Sequence, residues 1–121
     1  MGLFSTAAGD AGKLGAILDL ACLQLDPTDR ERLLQAALES DPVWMAETLR
    51  AWTSASFADR LRSIAAPTMV VATDDPFLPP PFLKEAVVDR IAGARLEILR
   101  GPGHYVQVEA PEATATLFGG L

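Results

Sequence analysis

The run Pro67-Thr68-Met69-Val70-Val71-Ala72 limits what this chain can fold into more than any other stretch. A continuous apolar run of this length, with β-branched residues, reads as a strand buried on both faces of a parallel sheet. Behind it a proline-rich loop from Thr73 to Pro81 leads into a helix carrying Leu83, Ala86, Val87 and Ile91, which Gly93 is placed to end. Ala94 to Leu99 reads as a second strand, with Leu96 and Ile98 alternating against Arg95 and Glu97, as expected nearer a sheet edge. Strand, helix, strand implies a right-handed parallel crossover, so the fold class is α/β. Both strands then end on the same side of the sheet, and the loops that follow them lie side by side.

The chain ahead of the crossover is helical. Residues 1 to 10 are small and polar and read as a loop. From Lys13, Leu14, Ile17, Leu18, Ala21, Cys22 and Leu25 recur at helical spacing. Asp26-Pro27 and Asp41-Pro42 each open a further helix, with Asp as N-cap and Pro in the first turn. Leu33, Leu34, Ala37 and Leu38 form the apolar face of one; Met45, Leu49 and Trp52 share a face of the other, flanked by Trp44 and Thr48. Residues 1–56 are thus expected to form a compact helical unit, and residues 57–121 the strand-bearing part. At the boundary, Ser56 with Asp59 forms an imperfect capping box for a short helix bearing Phe57, Leu61 and Ile64, and Pro111 starts a last helix that Gly119 and Gly120 close.

Two strands cannot bury both of their faces or close their edges. Either the sheet continues in another polypeptide or these residues belong to a longer one. The open edge beside Met69, Val70 and Val71 is a template for pairing, and the isolated chain is expected to dimerise or self-associate through it, or to be only partly ordered, unless the helices of residues 13 to 54 fold back over it.

Net charge and residue counts narrow the partners. The charge of −6 and the ten scattered Lys and Arg argue against a nucleic-acid surface. Cys22 is the only cysteine and His104 the only histidine, which excludes an intrachain disulfide and a zinc cluster of usual spacing; no metal or cofactor is expected. Asp10 and Lys13 interrupt the amino-terminal apolar stretch, so no secretory signal is expected, and no run reaches the length of a membrane span. The expected location is cytoplasmic, and the Ala, Leu and Arg usage looks bacterial.

The chemistry converges on the two strand-end loops. Arg100-Gly101-Pro102-Gly103-His104-Tyr105 sets the imidazole on a glycine-rich turn directly after the second strand. Histidine is the side chain whose unperturbed pKa, about 6.5, suits a proton shuttle at neutral pH. The first loop presents Asp74 and Asp75, and an acid beside an imidazole can hold it in one tautomer and stabilise it once protonated. Asp75 is favoured because Pro76 fixes the backbone after it, with Asp74 the alternative. The bland readings are a surface histidine and two turn aspartates. Trp44, Met45, Trp52, Phe77 and Tyr105 are candidates for an apolar acyl pocket, although such residues at helical spacing more often belong to a core.

Ala66 to Ala72, then Asp75-Pro76-Phe77-Leu78-Pro79, Gly101-Pro102-Gly103-His104 and Glu109-Ala110-Pro111-Glu112 together resemble the carboxyl-terminal part of the α/β-hydrolase family. The resemblance implies that the acid follows the penultimate core strand, the histidine the last strand, and that Glu-x-Pro-Glu opens the final helix. It covers residues 57 to 118; residues 10 to 56 resemble, less specifically, the helical cap many members insert. Thr73 stands where the family has Gly in a loop one residue longer, which leaves the choice between Asp74 and Asp75 open. The family's nucleophile elbow, Gly-x-Ser-x-Gly, surrounds none of Ser5, Ser40, Ser54, Ser56 or Ser63. The resemblance therefore implies a partial α/β-hydrolase fold: two parallel strands with a crossover helix, preceded by a cap-like helical unit. Its implied activity is hydrolysis of an ester, thioester, amide or related carbon-carbon bond in a small acyl substrate, once an amino-terminal half supplies the serine. The alternative is a non-catalytic, truncated hydrolase-like interaction module.

Overall fold

The computed structural model describes residues 2–119, so Gly120 of the expected helix stop lies outside the described residues. Two compact units divide them. One holds the residues up to Leu20 together with Leu25–Ala55, and the other holds Ala21–Gln24 together with the chain from Ser56 onward.

The first unit is helical. A four-residue helix α1 (Gly2–Ser5) occupies ground that sequence reads as loop, and α2 (Ala11–Ala21), α3 (Pro27–Glu39) and α4 (Pro42–Ser54) follow. Asp26 and Asp41 cap α3 and α4 as their sequences dictate, accepting from Thr28 N and Trp44 N at 2.8 Å each. Ala7, Leu14 and Leu18 are buried, and Leu33, Leu34, Ala37 and Leu38 are half-buried along one side of α3. Arg30 makes a two-pronged pair with Asp19, Nε–Oδ1 2.6 Å and Nη2–Oδ2 2.8 Å, tying α3 to α2. That hydrogen bond holds the Asp19 carboxyl below the usual carboxylate range and raises the Arg30 guanidinium.

The helix α2 stops at Ala21, short of the Cys22 and Leu25 that its apolar stripe includes. The backbone groups needed to continue it are engaged elsewhere in the second unit: Ala21 O accepts from His104 N at 2.9 Å, and Leu23 N donates to Glu109 Oε1 at 2.7 Å. A non-local partner has outcompeted the local ladder.

The second unit opens with a 3-10 turn, Ala58–Ser63, rather than an α-helix capped by Ser56. Its N-cap position is Phe57, which makes no side-chain cap bond, and the chain has few residues left before the extended backbone that Pro67 imposes on its predecessor. Strand β1 (Met69–Ala72) pairs in parallel with β2 (Arg95–Ile98), in register Met69↔Arg95 through Ala72↔Ile98. Between them run α5 (Pro80–Ala86) and a 3-10 turn, Val88–Arg90. The expected single helix breaks at Val87, where successive β-branched residues resist the helical rotamer, and Gly93 reverses the chain at φ +75°.

Two burial expectations need correction. Ala72 is buried, but Met69, Val70 and Val71 are only half-buried, and Ile98 is exposed rather than inward. The cause is common: the described sheet has two strands, so β1 lacks a neighbour on its other edge. After β2 come a short helix α6 (Val106–Glu109), which sequence reading did not separate from the turn before it, and α7 (Pro111–Gly119). Among the described residues no helix is long and apolar enough to cross a membrane.

Candidate active site

Parallel pairing brings the two strand-end loops together, and backbone and side chains then interlock them. Leu99 N donates to Ala72 O at 2.9 Å, prolonging the ladder by one rung, and Asp74 N donates to Pro102 O at 3.1 Å. Thr73 is buried; its hydroxyl donates to Gly103 O at 2.8 Å and accepts from Asp75 N at 3.2 Å. In the place where a glycine was expected by resemblance, this threonine ties one loop to the other.

The two aspartates separate by what they bind. Asp75 is only 5% exposed; its Oδ1 accepts from Phe77 N at 2.8 Å, an Asx turn, and its Oδ2 lies 2.8 Å from His104 Nδ1. A carboxylate can only accept, so Nδ1 is the donor, and in the neutral ring Nε2 is left with the lone pair. Asp74 faces the other way, onto Arg100 Nη1 and Gly101 N, each at 2.8 Å. The Arg100 hydrogen bond, and after it the Gly101 amide, hold the Asp74 carboxyl below its ordinary value.

A folded-state pKa below the unfolded one means that the Asp74 clamp is fully present above about pH 4 and is released as pH falls through the lowered value. Hydrogen exchange at the Gly101 amide, followed from pH 7 downward and corrected for intrinsic rates, is expected to stay protected through the ordinary carboxylate range and to lose protection only below it. Loss of protection well above pH 4 would show that the clamp does not hold.

Phe77 and Tyr105 flank the imidazole edge-on, with ring centroids 6.1 Å and 5.2 Å from that of His104. Trp44, Met45 and Trp52 lie on α4 in the other unit; Met45 is half-buried, whereas Trp44 and Trp52 are 63% and 72% exposed, so neither indole belongs to a core. Among the described residues no three His, Cys, Asp or Glu side chains gather as a metal-ion site.

Glu109 is the residue that sequence reading passed over. Its Oε1 accepts from Leu23 N, Gln24 N and Gly103 N at 2.7, 2.8 and 2.9 Å, and its Oε2 from Tyr105 N at 3.1 Å. Sequence marks it only as part of the stretch that opens the last helix. Two of its donors lie more than eighty positions away, beyond the reach of any local pattern.

A strand-end acid bonded to a histidine on the next strand-end loop is an arrangement suited to hydrolytic chemistry, and the comparisons agree at the level of family. The alpha/beta hydrolase family model matches residues 3–117, and the chain belongs to that family. No curated protein matches the sequence. Among solved structures, an esterase from Exiguobacterium antarcticum is similar with a TM-score of 0.84 at 20% identity, over 98% of this chain and 45% of that one. A thermophilic esterase from Thermogutta terrifontis is similar with a TM-score of 0.77 at 20% identity, over 97% of this chain and 46% of its own. An N-acyl homoserine lactone degrading enzyme gives 0.68 at 26% identity, over 95% and 49%. This chain thus spans less than half the length of each of these structures.

Proposed function

We propose that this chain supplies the base and the orienting acid of a Ser-His-Asp hydrolase, acting on an ester, thioester, amide or related carbon-carbon bond of a small acyl substrate. The observation that carries the reading is the 2.8 Å bond between His104 Nδ1 and the buried Asp75 carboxylate. His104 Nε2 takes the proton of a serine hydroxyl as its oxygen attacks the carbonyl, then returns it to the leaving group; water repeats the cycle to free the acid. Asp75 holds the productive tautomer and stabilises the imidazolium. The serine, in its Gly-x-Ser-x-Gly turn, and the oxyanion donors lie outside these residues, with the half of the fold that the similar structures have in addition. Residues 57–121 are the carboxyl-terminal part of that core and residues 1–56 its cap, and Phe77 and Tyr105, edge-on to the histidine, are the apolar surfaces offered to an acyl chain. The unpaired edge of β1 is where a strand of the missing half adds to the sheet.

The test is hydrolysis of an activated aryl ester. The 121-residue chain alone is expected to give no turnover above buffer, because a base without nucleophile and oxyanion donors retains little catalysis. Addition of the polypeptide encoded immediately upstream, where it carries Gly-x-Ser-x-Gly, is expected to give turnover that vanishes in His104→Ala. Turnover by the chain alone that depends on His104 would place the nucleophile within these residues. A completed sheet that stays inactive would favour a non-catalytic interaction module.

A further inference from the structure

We propose that Glu109 is a positioning residue for His104, one carboxylate that fastens the backbone on both sides of the base; the inference rests on reading His104 as that base. Three successive backbone donors surround the imidazole's own residue. Gly103 N and Tyr105 N both donate to Glu109, at 2.9 and 3.1 Å, while His104 N donates to Ala21 O at 2.9 Å. The third bond depends on Glu109 as well, because Oε1 also takes Leu23 N and Gln24 N and so orients the segment from which the Ala21 carbonyl projects. Every backbone donor from 103 to 105 is thus held by this side chain directly or at one remove.

The donors are backbone N–H groups and the acceptor is charged, so the bonds belong to the stronger class, and a rotamer change cannot satisfy the donors otherwise. Glu109 closes α6 five residues after His104, which makes the anchored loop short and stiff. The near end of the loop is fixed independently, by Thr73 to Gly103 O and by Asp74 to Gly101 N. A group this well tied sets where the imidazole stands relative to Asp75, and displacement of a catalytic group by about 1 Å costs on the order of a hundredfold in rate.

Because His104 is the only histidine, nitrogen-15 NMR of the full chain reports a single imidazole. The wild type is expected to show the Nδ1-protonated tautomer and a slowly exchanging Nδ1 proton. Glu109→Gln keeps an oxygen for Leu23, Gln24 and Gly103 but turns an amide NH2 toward Tyr105 N. Exchange of the Nδ1 proton is expected to accelerate about tenfold, the equivalent of one charge-assisted bond, and the Nε2-protonated tautomer to appear. Glu112→Gln, at an exposed position one turn on, is expected to change neither signal. Should glutamine unfold the chain, Glu109→Asp, one methylene shorter, is read in the same way. An imidazole signature identical to wild type in a folded Glu109 variant overturns the inference. A wild type that lacks the Nδ1-protonated tautomer overturns the base reading itself, and this inference with it.

Discussion

Replacing Asp75 with asparagine, in the proposed hydrolase with a serine-bearing half added, is expected to lower kcat by about four powers of ten. The size follows from how Asp75 uses its two oxygens. Oδ1 accepts from Phe77 N, and Oδ2 faces His104 Nδ1. An asparagine that keeps its oxygen on Phe77 N must present its NH2 to Nδ1, and two donors cannot share that bond. The imidazole then carries its proton on Nε2, where the serine's proton has to go, and the base is lost although the geometry survives. The opposite flip serves the histidine but turns the NH2 toward the Phe77 N–H, two donors face to face, so the Asx turn is lost instead. Asp74→Asn is expected to cost less than about tenfold, since it weakens a clamp on Arg100 and Gly101 and leaves the imidazole's partner in place. Steady-state rates of the two variants with one ester decide the matter. If Asp74→Asn is the damaging change, the acid has been assigned to the wrong residue.

Sequence favours Asp75 over Asp74 because Pro76 restricts the backbone beside it, and in the structure it is Asp75 that bonds to His104 while Asp74 turns onto Arg100 and Gly101. The strand pair and its direction were legible for a similar reason: a β-branched apolar run, a helix with a glycine stop, and an alternating run leave a parallel crossover as the consistent solution. Local chemistry likewise placed both Asp-Pro helix starts. What sequence could not show depends on partners far along the chain. The end of α2 is set by His104 and Glu109, and the role of Glu109 by amides at 23 and 24. The burial of Met69 to Val71 was overestimated for a related reason, because a hydrophobic pattern records the sheet the strand suits, while exposure records the neighbours present in these residues.

Gly103 offers the sharpest test of how tightly the histidine loop is seated. The two glycines of Gly101-Pro102-Gly103 look interchangeable in sequence, as residues that let the backbone turn, yet only Gly101 has the positive φ, at +111°, that such a turn requires. Gly103 is needed for space: a Cβ there would overlap the Ala21 carbonyl oxygen and lie 3.0 Å from Leu23 N. Both neighbours are backbone atoms and both are engaged, Ala21 O by His104 N and Leu23 N by Glu109. No rotamer change can relieve the overlap, so the 21–24 segment and the loop must part and give up those hydrogen bonds. Overpacking costs about 1–3 kcal/mol and each hydrogen bond given up about 0.5–1.5 kcal/mol more, so Gly103→Ala is expected to destabilise the second unit by about 3 kcal/mol. Gly93→Ala is the control. It has the same chemistry and a strained φ of +75° but open space around its Cβ, so its cost is limited to about 1–2 kcal/mol of backbone strain. Urea midpoints of the two variants should therefore differ, with the nitrogen-15 imidazole signature disturbed in Gly103→Ala alone. A Gly103→Ala chain that unfolds at the wild-type midpoint would show that the segment does not sit against the loop, and would remove the physical basis for the contact by which Ala21 steadies His104.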